Sequence, residues 1–155
     1  MVERIYVVHW EGPFRWEERR KHFKKEHVLY ALYGSHHLYG RDVLLYIGKT
    51  EGDIGRRLGE HDGWVADEYD EMTVRLASIG LFVDWGDWEH GERYSKANPD
   101  VIQAVEGLLI YSNQPAYNSK SKATIRLAEG YRIFNTGRLG HLLPEASYLY
   151  HYEGE

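Results

Sequence analysis

Two short runs rich in β-branched, leucine and tyrosine residues, 28–33 (VLYALY) and 43–48 (VLLYIG), constrain this chain more than any other feature. The intervening GSHHLYGRD carries two glycines and an aspartate, so the runs are expected to pair as an antiparallel hairpin. Simple alternation puts Tyr30 on the same face as Val28 and Leu32. It groups Leu44 with Tyr46, and Val43, Leu45 and Ile47 on the opposite face. Lys49, Thr50 and a Glu-Gly-Asp turn follow, with Asp53 placed to cap a helix from Ile54. Gly55 and Gly59 weaken that helix. Arg57 and His61 are four apart and therefore project from one side of it, with Arg56 next to them. Two phenols on paired strands beside a guanidinium and an imidazole suit an anionic ligand.

The rest of the chain supplies a frame for this hairpin. Residues 2–10 (VERIYVVHW) read as a strand that EGPF breaks. Residues 15–26 read as a basic helix. It is either a solvated face with pairs such as Glu17–Lys21 or a phosphate-contacting surface. Residues 63–71 form an acidic loop, and 72–83 (MTVRLASIGLFV) a third strand of the same sheet. Trp85 and Trp88 lie in an acidic neighbourhood and are read as packing or rim residues rather than base-stacking platforms. Asn98-Pro99-Asp100 is a sharp helix start, and the helix runs to about Tyr111, ending before Pro115. Val101, Ile102, Val105, Leu108 and Leu109 form its apolar stripe, with Glu106 about 110° from the stripe's centre. Residues 120–138 hold five basic residues and one acid, with a strand at 131–135. That strand either pairs with residues 2–10 at the sheet edge or lines a substrate groove. Residues 139–155 end as a last strand or a loosely held tail.

The expected class is α/β in the broad sense, α+β. A small central, mainly antiparallel sheet has three core strands from the hairpin and the following strand. Helices flank it, extra elements stand at both termini, and residues 1–155 make one domain. The net charge of −5 is uneven: residues 60–92 hold one Arg against 10 acids, whereas residues 1–59 hold 11 Lys/Arg against 8 Asp/Glu. Local patches matter more than the sum when screening acts over about 8 Å. With no cysteine, no apolar run of membrane-spanning length and no signal-peptide pattern, a soluble, cytoplasmic protein is expected.

The ordered set Tyr46-Ile47-Gly48-Lys49 and Arg57-Leu58-x-x-His61 resembles the GIY-YIG nucleases. The resemblance continues through Glu106 and Pro115-Ala116-Tyr117-Asn118, covering residues 27–118. Val28-Leu29-Tyr30 keeps the first motif's tyrosine but has Val where that family carries Gly. The interval to Tyr46 is lengthened through the hairpin loop. The resemblance implies a metal-dependent DNA endonuclease that leaves 5′-phosphate and 3′-hydroxyl ends. Tyr30 would activate water, Tyr46 would contact the phosphate or leaving group, and Arg57 would stabilise the transition state. Glu106 would hold one Mg²⁺ or Mn²⁺. Lys49, Arg56 and Asn118 would bind substrate, Asn118 either near the metal or tying the helix end to the sheet. A free phenol is only about 0.1% ionised at pH 7, so Tyr30 needs Lys49 or Arg57 to favour phenolate. His61 is the alternative base, and both readings stay open. DNA is the expected partner, with a homodimer or a specificity partner also consistent. A catalytically silent nucleic-acid-binding module of the same fold is the alternative. A histidine-centred metal site using His27, His36, His37 and His61 is disfavoured, because adjacent histidines on a hairpin loop should point apart and no H-E-x-x-H spacing exists.

Overall fold

The computed structural model describes residues 3–50, 72–82, 84, 98–118, 122 and 125–151, together with the backbone of 93–94. Its strands are β1 (Arg4–Arg15), β2 (Leu29–His36), β3 (Gly40–Lys49), β4 (Thr73–Leu81), β5 (Arg93–Tyr94), β6 (Tyr131–Gly137) and β7 (Glu145–Ser147). Two α-helices are described, α1 (Arg19–His22) and α2 (Pro99–Asn113). The class is α+β. One mixed sheet runs β3-β2-β4-β1-β6-β7, with β5 pairing β4 off this path. The hairpin and the strand after it are neighbours, as expected, but they form one part of a seven-stranded sheet. β1 pairs antiparallel with β4 and parallel with β6. The basic C-terminal segment thus places its strand beside β1.

Three local expectations change. EGPF does not end the first strand: β1 continues through a register shift between Glu11 and Phe14, where Gly12 takes φ 125°. A bulge absorbs the irregularity that the glycine and proline impose. The helix expected over 15–26 contracts to a 3₁₀ turn, Trp16–Glu18, and the single turn of α1. Buried Trp16 is held by its N–H donating to the Met72 carbonyl, and Phe23 returns to extended backbone. Immediately afterwards the Lys24 N–H donates to His27 Nδ1 (2.9 Å), so a turn replaces further helix. The third change lies in β3. Leu32 faces Tyr46 but Tyr33 faces Leu44, leaving Leu45 as an extra residue. The slip puts Leu44 and Ile47 on one face and Leu45 and Tyr46 on the other. Val28, just before β2, packs with the face opposite Tyr30 and Leu32.

α2 starts where Asn98 Oδ1 accepts the Asp100 N–H at 3.2 Å, with Pro99 at the first helical position. All five residues of its expected stripe are buried, together with Ala104 and Ile110. They pack on the sheet face carrying Val8, Trp10, Leu29, Ala31, Tyr33, Ala77 and Ile79. Fully burying a side chain such as Leu108 or Leu109 contributes about 1.5–3 kcal/mol. The opposite face holds a smaller cluster of Trp16, Tyr30, Leu32, Leu45, Met72, Val74 and Leu76.

Candidate functional site

Tyr30 and Tyr46 project from the same face, on neighbouring strands and diagonal to each other. Their rings stack with centroids 6.0 Å apart and planes 27° apart. Tyr30 faces Gly48 across the ladder, and its ring lies over that glycine. A Cβ at position 48 would stand 2.4 Å from both Cζ and Oη of Tyr30. Glycine is therefore needed here for close approach, not for an unusual φ. Tyr30 is 0% exposed, while Tyr46 is half-buried.

β3 forms the edge of the sheet, and the segment after α2 covers it. The Ala116 N–H donates to the Leu44 carbonyl (3.3 Å) and the Tyr117 N–H to the Leu45 carbonyl (2.7 Å). Asn118 completes the seam with its side chain. Its Oδ1 accepts the Ile47 N–H and its Nδ2 donates to the Ile47 carbonyl, both at 2.9 Å. The amide thus pairs like one residue of an added strand, which ties the chain after α2 to the sheet edge. Lys49 ends β3 opposite Leu29.

Glu106 is half-buried on α2, the helix that covers the face opposite the two phenols. A carboxylate on a helix flank is a hard oxygen donor of the kind Mg²⁺ or Mn²⁺ takes. The structure brings Tyr30, Tyr46 and Gly48 together and joins Asn118 to the same strand. It does not bring Glu106 to their face of the sheet. Arg56, Arg57 and His61 lie outside the described residues, as do Trp85 and Trp88.

A second cluster was not foreseen as a ligand set. Glu11, Glu26 and His27 bring three potential metal-ligand atoms within 4.8 Å of one another. Both nitrogens of the buried His27 ring are engaged. Nδ1 accepts from the Lys24 N–H, so in the neutral ring Nε2 carries the proton and donates to Glu11 Oε2 at 2.9 Å. An ion at Nε2 would have to displace that proton and set Nδ1–H against the Lys24 N–H. Burial pushes the His27 pKa below its ordinary value, outweighing the Glu11 hydrogen bond, which favours the cation.

His36 and His37 also depart from expectation. Their rings do not point apart but stack at 4.7 Å and 16°. On the central strand β4, Arg75 is a buried cation, 8% exposed, that donates to the Arg138 carbonyl (2.7 Å) and sits 4.8 Å from the Tyr33 ring centre. Its Nε has no hydrogen-bond partner. Period-two reading places residue 75 inside a buried strand but gives no sign that a guanidinium is tolerated there.

No family model and no solved structure matches the chain. Among curated proteins it is similar to a leucyl/phenylalanyl-tRNA–protein transferase of Pelodictyon phaeoclathratiforme (strain DSM 5477 / BU-1). The two are 22% identical over 107 residues, or 67% of this chain and 50% of that protein. The chain spans about half the length of this relative.

Proposed function

We propose that the chain is a metal-dependent DNA endonuclease of the GIY-YIG kind, with β3, β2 and β4 as its catalytic strands. One observation carries the reading: the Tyr30 ring rests on Gly48 and stacks on Tyr46, while Asn118 grips Ile47 between them. Three pieces of the motif, distant in sequence, thus depend on one another physically. His61 or Tyr30 activates water, though Tyr30 is fully buried, and Tyr46 contacts the phosphate or leaving oxygen. Arg57 presents its planar fork to the phosphate, where negative charge grows in the transition state. Lys49 and Arg56 add cationic contacts to the substrate, and Asn118 holds β3 in register. Glu106 is the carboxylate that the motif offers one Mg²⁺ or Mn²⁺, but α2 carries it over the face opposite Tyr30 and Tyr46, so no step is routed through a metal held there. A cytoplasmic setting and a homodimer or specificity partner belong to this reading. No described helix is long and apolar enough to cross a membrane.

A second reading, a nucleic-acid-binding module without catalysis, is favoured by the position of α2. The helix bearing Glu106 covers the face turned away from Tyr30 and Tyr46. The two readings separate in a nicking assay on supercoiled, branched and single-stranded DNA with Mg²⁺ or Mn²⁺. A tRNA arm is included because the transferase above is named for leucyl/phenylalanyl-tRNA. The endonuclease reading expects wild-type scission that drops roughly 10²-fold or more in Arg57→Ala and Glu106→Ala, with unchanged melting temperatures. Binding without scission by the wild type gives the second reading. Unchanged cleavage in both variants removes the site assignment.

A further inference from the structure

The tip of the β2–β3 hairpin carries an exposed array of rings that the proposed catalytic site does not use. His36 stacks on His37 (4.7 Å, 16°) and on Tyr39 (4.5 Å, 22°), and Tyr117 tilts against it at 5.6 Å. Tyr39 is 69% exposed, Leu38 75% and Tyr117 39%. Exposed aromatics on a mobile loop would sample many orientations, but this tip is pinned. His36 Nδ1 accepts both the Leu38 N–H (3.1 Å) and the Tyr39 N–H (3.2 Å), fixing the turn around its own ring. Tyr117 arrives from a separate segment, held to β3 by its N–H on the Leu45 carbonyl. The array is thus assembled from two parts of the chain, and it adjoins the strand edge that bears Tyr46.

We propose that this array is a stacking platform for unpaired nucleobases of the nucleic-acid substrate, which rests on the functional reading above. Every base presents a π-face, and parallel exposed histidine and tyrosine rings meet it without sequence preference. At the tip Arg41 is matched by Asp42, and Lys120 and Lys122 follow Tyr117 closely in sequence, so the basic residues outnumber the acids along the two segments that build the array. Bases in an intact duplex are stacked on one another and cannot reach such a surface. The platform therefore selects single-stranded, looped or frayed DNA over continuous duplex.

The test uses the full chain in EDTA, so that only binding is read. Three fluorescent probes serve: a single strand, its perfect duplex, and that duplex with a central unpaired loop. The wild type should prefer the single strand and the loop. Tyr39→Ala should weaken both by roughly five- to one-hundred-fold while leaving duplex binding within about twofold. Tyr39→Phe should match the wild type. A single strand carrying 5-iodouracil, irradiated on the unmodified protein, should crosslink to His37, Tyr39 or Tyr117. Crosslinks elsewhere only, or equal losses on paired and unpaired probes in Tyr39→Ala, would overturn the platform while leaving the nuclease reading intact. A wild type that binds none of the probes would sink both.

Discussion

Gly48 and Tyr30 show how a motif letter becomes a steric fact. A methyl at position 48 would collide with a fully buried ring. Gly48→Ala should cost about 1–3 kcal/mol in urea unfolding. In a Tyr30→Leu background the same change should cost less by about 1 kcal/mol or more, because the colliding atoms are gone. Equal costs in both backgrounds would contradict the contact. His27 makes a different prediction. Its folded-state pKa is lowered, so between that value and about 6.5 the unfolded chain binds more protons than the folded one. Stability should therefore be full above about pH 6.5 and fall as pH drops through that window. His27→Gln should flatten this part of the urea-midpoint profile, and parallel profiles would assign the proton elsewhere. At this scale the sequence showed which tyrosines would neighbour each other, since their strands pair. It misassigned Leu45 because counting by twos cannot detect an inserted bulge residue.

At the scale of elements, α2 was legible and α1 was not. Asn98, Pro99 and a full apolar stripe agree on a helix over Pro99–Asn113, so local and tertiary preferences coincide. Residues 15–26 lack such a stripe. Their helical appearance came from charged residues of good propensity, which tertiary anchors at Trp16 and His27 overrule. The stretch after α2 forms the outer partner of β3, and of the two places open to Asn118 in the sequence, tying the helix end to the sheet is the one its bonds to Ile47 show. Asn118→Ala should remove both side-chain bonds to Ile47 and leave that buried peptide unsatisfied, costing about 1–3 kcal/mol. Hydrogen exchange should show the Ile47 amide losing protection more than those of β4. Uniform loss, or none, would mean that the backbone bonds at Ala116 and Tyr117 hold the edge without it.

For the whole molecule, the resemblance over residues 27–118 does not mark out an independent folding unit. β1 pairs with both β4 and β6, and its Tyr6, Val8 and Trp10 join α2, Tyr131 and Ile133 in the larger core. Trp10 Nε1 donates to Asn135 Oδ1 at 2.9 Å, and Arg132 pairs with Glu3 and Glu145, binding the two ends of the chain together. A fragment of residues 27–118 should therefore lack cooperative thermal unfolding, whereas the full chain melts in one transition; a well-dispersed NMR spectrum from the fragment would refute this. The sequence offers the pairing of the 131–135 strand with residues 2–10 as one of two alternatives, and β1 and β6 do pair. The parallel direction, and side-chain meetings such as His9 with Thr136, 127 residues apart, carry no local signal. The covered border of β3 has a further consequence. The Leu44 and Leu45 carbonyls and both backbone groups of Ile47 are already bonded to residues 116–118, so this part of the rim is closed to a foreign strand that would seed filament growth. At Leu44, Leu45 and Ile47 a ligand therefore meets side chains rather than these bonded backbone groups.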